Sequence, residues 1–320
     1  MIPEDAPASG EFGLIDWIRR RCPAGDRVPL GIGDDCAVVR FPAPGTEALV
    51  TTDMLLDGRH FRLAEHGPEA VGYKALGVNL SDIAAMAGVP LAAFVAVALP
   101  RGSAVAVARG LLAGMAPLAG RFGVTLAGGD TNAWDGPLVV SLTVLGEAVP
   151  PGPVRRSGAR PGDVILVTGP LGGSLLGRHL RPAPRIGEAR TLHRAGALRA
   201  MIDVSDGLAA DLGHILRESG GLGAILDAAS IPIHQDAVTM SRRDGRTPLE
   251  HALHDGEDFE LCLVASAEDA ARLLADPPGP AALYRVGAVT AAPGLLLRSS
   301  DGAVLPIAAT GYDHLAPGIR

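Results

Sequence analysis

Apolar positions in this chain fall either into short runs or into stripes at helical spacing. The runs predict strands at about 36–40, 48–52, 92–99, 124–127 and 138–145. Between them, 68–87 and 103–122 read as helices. In the first, Leu76, Leu80, Ile83 and Ala87 recur on one face, and Ala75, Asn79, Asp82 and Met86 on an adjoining one. Leu14, Ile15 and Ile18 fit a short amphipathic helix near the start. Pro150-Pro151-Gly152-Pro153 follows a long strand and predicts a domain boundary, dividing the chain into 1–149 and 150–320. The second part opens with a strand at 163–167 and a glycine-rich turn at 169–177. Strands follow near 200–204, 224–226, 259–264, 285–289 and 295–298, with a helix through Leu208, Leu212, Ile215 and Leu216. Helices and strands mix in both parts, which predicts a two-domain α/β (α+β) protein.

Composition narrows the class. Of 320 residues, 48% are hydrophobic and 20% charged, as in ordinary globular proteins, but only 3% are aromatic, so the cores must be aliphatic. The net charge of −7 argues against a nucleic-acid groove, yet it is compatible with phosphate ligands, because bound metal reverses the sign of an acidic cluster. Cys22, Cys36 and Cys262 form no Cys-x-x-Cys pair and read as free thiols in a reducing cytosol. The first residues lack the basic-then-apolar pattern of a signal peptide, so a cytoplasmic location is expected. The apolar run 91–99 is too short to cross a bilayer, and no membrane partner is expected. Lys74 is the single lysine among 28 basic residues, which we read as a codon preference for arginine.

The candidate chemistry lies in six acidic clusters, most of them at the end of an apolar run. They are Gly31-Ile32-Gly33-Asp34-Asp35, Thr51-Thr52-Asp53, Asn79-Leu80-Ser81-Asp82, Gly128-Gly129-Asp130, Asp203-Val204-Ser205-Asp206 and Gly256-Glu257-Asp258. A single Asp after a strand is an ordinary turn residue or helix cap. Six such clusters point instead to carboxylates gathered around hard cations, with substrate phosphates completing the metal shell. On an extended segment adjacent side chains face opposite ways, so one of Asp34 and Asp35 is expected in the site. Gly169-Pro170-Leu171-Gly172-Gly173-Ser174 lacks the Gly-Lys-Ser/Thr of a phosphate loop, and no dinucleotide fingerprint is present. Phosphate binding is therefore assigned to metals, with Arg155, Arg156, Arg178, Arg181 and Arg185 as candidate helpers.

These motifs resemble the thiamine-monophosphate kinase family. The resemblance also takes in Gly10-Glu11-Phe12, His60-Phe61, Lys74-Ala75-Leu76, Arg156-Ser157-Gly158-Ala159, Arg178-His179-Leu180-Arg181-Pro182, Glu257-Asp258-Phe259-Glu260-Leu261 and Gly311-Tyr312-Asp313-His314, in order from one end of the chain to the other. It implies the two-domain fold shared with aminoimidazole ribonucleotide synthetase and selenophosphate synthetase, with the N-terminal sheets of a homodimer closing into a barrel. It implies transfer of the ATP γ-phosphoryl group to thiamine monophosphate, giving thiamine diphosphate. It also implies Asp35, Thr51, Thr52, Asp53, Asp82, Asp130, Asp203 and Asp206 as Mg²⁺ ligands. Gly129, Asp130, Arg156 and Ser205 fall on the nucleotide side by the same resemblance, and His60, Glu257 and Tyr312 on the thiamine-phosphate side. Two departures stand out: His254-Asp255 precedes Gly256 where a second glycine is more usual, and Leu112 stands about where some relatives have a tyrosine.

Overall fold

Alternation of buried and open positions builds the first sheet. In the computed structural model, which describes residues 29–30, 34–40, 47–196, 198–279 and 282–311, strand β5 (Val139–Glu147) buries Val140, Leu142 and Val144 completely and turns the intervening residues to the opposite face. It pairs antiparallel with β2 (Glu47–Leu56) and with β3 (Val89–Pro100). β1 (Ala37–Arg40) flanks β2, and β4 (Thr125–Trp134) runs parallel to β3. The strand order is β1-β2-β5-β3-β4. Helices α1 (Leu63–Ala85) and α2 (Ala104–Phe122) supply the crossovers and pack together.

The sequence places Gly128-Gly129-Asp130 beyond a short strand, but the structure continues β4 straight through it. Glycine is what permits this. A Cβ on Gly129 would stand 1.8 Å from the Val95 carbonyl oxygen, so β3 approaches more closely than any side chain allows. Helix α1 also differs from expectation. Gly67 has φ 73° and breaks the first turn, so the regular helix begins at Pro68. Beyond that point it is buried on nearly every face: Val71, Ala75, Leu76, Leu80, Ile83, Ala84 and Ala85 are inaccessible to solvent.

The reason is a second sheet on its far side. This sheet has the order β12-β11-β8-β10-β6-β9-β7. Its strands are β6 (Val164–Val167), β7 (Leu198–Asp203), β8 (Gly223–Asp227), β9 (Leu261–Ala265), β10 (Tyr284–Thr290), β11 (Gly294–Arg298) and β12 (Val304–Pro306). Helices α3 (Ile186–Arg194), α4 (Leu208–Glu218), α5 (Gln235–Asp244), α6 (Pro248–His254) and α7 (Ala267–Ala275) accompany it. Of these, α3, α5, α6, α7 and the edge strand β12 are absent from the sequence reading, because they are short and carry no long apolar period. In β6, Val164 and Leu166 join the core that contains α1, while Ile165 and Val167 join a second core under α4. One apolar core thus runs from the first sheet through α1 into the second.

Residues 101–122 are long and apolar enough by composition to cross a membrane, the one such helix among the described residues. Here α2 instead lays Val107, Leu111, Met115 and Leu118 inward as a buried stripe. Its contact with α1 is close because it is made by glycine: a Cβ on Gly114 would lie 1.9 Å from the Glu69 carbonyl oxygen, and one on Gly72 would lie 2.1 Å from that of Leu111. Gly114→Ala must therefore push the helices apart. We expect a loss of about 1–3 kcal/mol, read as a lower urea midpoint. An unchanged midpoint would contradict this account of the helix contact.

Candidate active site

Three elements bring carboxylates to the seam between the sheets. Alternation along β2 turns Thr51 and Asp53 toward α1. The end of α1 presents Ser81 and Asp82, and the end of β7 presents Asp203. The Thr51 hydroxyl donates to Asp82, and the Ser81 hydroxyl donates to Asp203 across 2.6 Å. Carboxylate oxygens of Asp35, Asp82 and Asp203 lie within 4.8 Å of one another. Arg156, on the segment joining the two sheets, closes the cluster. Its guanidinium donates to both oxygens of Asp35, at 2.7 and 3.2 Å, and its backbone N–H donates to Asp34. Both adjacent aspartates are therefore used, one by the site and one to hold the joining segment.

So many buried carboxylates resist ionisation. Burial pushes Asp203 up to about 8, with repulsion from Asp35 adding to it and the Ser81 hydrogen bond opposing it. Burial likewise raises Asp53 to about 6, and burial plus Asp35 raises Asp34 to about 7. Asp82 moves well above the carboxylate range, through burial first and then through Asp53, Asp203 and Asp35. Burial works against the Arg156 guanidinium too, but Asp35 and Asp34 outweigh it and raise its pKa. One arginine does not balance this charge. The donor set is all oxygen, carboxylate and hydroxyl, which suits a hard divalent cation such as Mg²⁺.

The turn after β7 forms the neighbouring wall. The Asp206 N–H donates to Asp211, a wholly buried carboxylate on α4 that burial, Asp206 and Asp203 together raise in pKa. The Ser205 carbonyl accepts from the Glu257 N–H at 2.7 Å. Glu257 adopts φ 52°, left-handed backbone unusual for a residue with a side chain, directly after Gly256 at φ 74°. A Cβ on Gly256 would reach within 2.4 Å of the Ser205 oxygen, so the glycine expected before the acidic pair is sterically required. The Glu257 carboxylate accepts from Lys74 on α1, whose ammonium also donates to the His60 carbonyl.

Asp35, Thr51, Asp53, Asp82, Asp203 and Arg156 are thus gathered at one point, with Ser205 and Asp206 on the adjoining turn and His60 and Glu257 joined through Lys74. Thr52, Gly129 and Asp130 are not brought to that point. Thr52 bonds Thr143 across the open face of the first sheet. Asp130 aligns through Ala96 and Ser141 with the exposed Met54 on that same face, and β5 and β3 separate its strand from β2. Tyr312 lies outside the described residues. Among the candidate arginines, Arg178 is taken by Asp258, Arg185 by Glu260, and Arg181 lies over the Tyr73 ring. The amides of Gly172 and Gly173 in the glycine-rich turn are filled by Asp258 and Asp255, the protein's own anions. Sequence reasoning assigned no role to Asp211 or Lys74. A charged residue inside the apolar stripe of α4, and a lone lysine in an arginine-rich chain, were the available signals.

Two mixed sheets with an acidic cluster at their seam define a class, and the family described as AIR synthase related protein, N-terminal domain, matches residues 33–148. Similarity extends over the whole chain to particular relatives. The thiamine-monophosphate kinase of Rhodopirellula baltica is 40% identical over 95% of this chain and 97% of its own length. That of Escherichia coli K12 is 38% identical over 97% of this chain and 99% of its own. The solved structure of AaThiL complexed with AMPPCP and TMP superimposes with a TM-score of 0.81 at 30% identity, covering 95% of this chain and 97% of that one. The chain belongs to the thiamine-monophosphate kinase family.

The charge cluster makes its own contribution to how stability responds to pH. Asp34, Asp53 and Asp203 have folded pKa values of about 7, 6 and 8, above those of an unfolded chain. Between the two sets of values the folded state binds more protons. Their contribution to stability is then greatest at low pH and is lost as pH rises toward 8. Melting in EDTA should show this decline, and Mg²⁺ should raise the melting temperature most at the alkaline end. A metal-free melting temperature that rises from pH 5 to pH 8 would refute the electrostatic reading.

Proposed function

We propose that this chain transfers the γ-phosphoryl group of ATP to thiamine monophosphate, forming thiamine diphosphate and ADP. The observation behind the reading is the oxygen cluster of Asp35, Asp82 and Asp203, set in a chain related along its whole length to thiamine-monophosphate kinases. AaThiL, of similar fold, is complexed with AMPPCP, an ATP analogue, and with TMP. In our reading Asp35, Asp53, Asp82 and Asp203, with Thr51 and the adjoining Asp206, hold Mg²⁺. When bound, these ions screen the repulsion between two phosphate groups and stabilise charge on the transferring one.

The chain's own residues do the positioning. Thr51 and Ser81 fix the rotamers of Asp82 and Asp203 by hydrogen bonds. Arg156 anchors Asp35 and offers its remaining surface, about a fifth of the side chain, to the nucleotide side. Ser205 belongs to that side as well. His60, Glu257 and Tyr312 serve the thiamine-phosphate side. The acceptor oxygen belongs to a phosphate already ionised near neutral pH, so neither a general base nor a covalent nucleophile is required, and transfer is direct.

Thr52, Gly129 and Asp130 acquire a role through a second copy. The open face of the first sheet exposes Met54, Leu56, Leu91 and Phe94, an unusual concentration of large apolar side chains. Closing two such faces into a homodimer barrel buries them and brings Asp130 and Thr52 to a shared interior. The division into 1–149 and 150–320 is part of this reading, the first part dimerising and contributing most metal ligands. Cys36 and Cys262, buried and free, suit a reducing cytoplasm.

Incubation with γ-labelled ATP and thiamine monophosphate should place the label in thiamine diphosphate. Label in free phosphate alone would indicate a synthetase that closes a ring instead, and intact ATP at saturating Mg²⁺ would indicate a binding protein. Asp53→Asn removes one charge without changing shape and should lower turnover roughly a hundred- to thousand-fold. Full activity in that variant would remove Asp53 from the ligand set. Sedimentation at micromolar concentration should give a dimer, and a monomer would contradict the barrel.

A further inference from the structure

The chain's one lysine is also one of its most completely buried side chains, 1% exposed. Elsewhere this sequence meets its need for cations with arginine. At Lys74 the surroundings explain why it does not. The ammonium meets the His60 carbonyl at 2.7 Å, Nδ1 of His179 at 2.9 Å, and both oxygens of Glu257 at 2.7 and 2.9 Å. These groups converge on one point, His179 Nδ1 also lying 3.0 Å from Glu257, and a compact ammonium suits that geometry better than a planar guanidinium fork. They also come from different parts of the molecule. His60 follows β2 of the first sheet, while His179 and Glu257 belong to loops of the second. Burial lowers the Lys74 pKa, and Glu257 opposes that shift. Burial raises the Glu257 pKa, but His179 and Lys74 outweigh it and hold the carboxylate ionised.

Lys74 lies on the α1 stripe that includes Gly77 and Ser81. A Cβ on Gly77 would meet the Pro182 ring at 2.4 Å, and Ser81 bonds Asp203, so the whole stripe abuts the second sheet's loops. Glu257 sits on left-handed backbone, a conformation that needs outside support. Its side chain keeps 23% of its surface open.

We propose that Lys74 is a positioning residue for the acceptor half of the site: its buried ammonium ties Glu257 and the His60 turn into one arrangement that receives thiamine monophosphate. It touches no substrate and acts through those two residues. The inference rests on the function proposed above, and its tests separate the two. Lys74→Met keeps the stem and removes the charge. It should raise KM for thiamine monophosphate roughly tenfold to a hundredfold, the worth of a charge-assisted hydrogen bond. Affinity for ATP, measured by calorimetry, should stay within about twofold, because the nucleotide contacts lie elsewhere. An equal loss on both substrates would mark a merely structural lysine and overturn the proposal.

Should Lys74→Met fail to fold with Glu257 left unbalanced, Lys74→Met in a Glu257→Gln background removes both charges. Since Lys74 acts through Glu257 and the His60 turn, the double variant loses only the His60 tie beyond what Glu257→Gln loses, so its acceptor KM should stay within about threefold of that variant's. A further tenfold rise would refute the mechanism. Hydrogen exchange in the peptide spanning 255–260, compared between the same two proteins, needs no turnover. It should quicken when Lys74 is replaced, through the loss of the His60 tie. Unchanged exchange would overturn the proposal even if the protein proved to act on another acceptor.

Discussion

Mutual repulsion among buried carboxylates is the constraint around which this molecule is arranged. Asp35, Asp82 and Asp203 come from a loop, a helix and a strand end, and nothing but tertiary structure holds them within 4.8 Å. Left alone they would separate or take up protons. The continuous apolar core around α1 supplies the opposing force, since the helix bearing Asp82 is locked between two sheets. Thr51, Ser81 and Arg156 then convert a repulsive set into an oriented one. On the function proposed here, the site is thereby prepared for cations before any arrive, which is how electrostatic stabilisation becomes available without reorganisation during the reaction.

The same logic explains why the glycine-rich turn at 169–177 is no phosphate loop. Its amides point at carboxylates of the protein, Asp258 and Asp255, and Arg178 reinforces the first of these. Anion-binding geometry is used here to fasten the segment 255–258 in place. That segment in turn sets Glu257 against the Ser205 turn. Backbone donors thus serve architecture, and on the function proposed here phosphate recognition falls to cations held by the carboxylate cluster.

Much of this was legible in the sequence for a physical reason. Alternation in β5 and the helical stripe in α1 are local patterns, and the five strands of the first sheet lie on the predicted runs, with β2 and β4 extending well past them. The acidic motifs also pointed to a gathering of carboxylates, and Asp35, Asp53, Asp82 and Asp203 do meet, because Asp at a strand end is read without knowing the fold. Which face each residue takes was less accessible. Thr51, Thr52 and Asp53 read as one ligand group, yet strand alternation sends Thr52 to the opposite side. Gly128-Gly129 read as lying past the end of a strand, since the close approach of β3 that makes glycine obligatory there is a tertiary fact. Short helices such as α5 and α6 left no periodic signal, and Asp211 and Lys74 gained meaning only from what surrounds them.

Helix α1 links these facts into one device. Lys74 and Ser81 are separated by seven residues, about two helical turns or roughly 10 Å along the axis. One end of that span sets the carboxylate cluster through Ser81 and Asp82, and the other sets Glu257 through Lys74. A helix packed on all sides does not stretch, so the distance between the two halves of the site is fixed by a rigid element and not by loops. In-line transfer between two phosphates depends on holding donor and acceptor at one separation. On the direct transfer proposed here, the protein's contribution reduces to charge and spacing, and α1 bears on both.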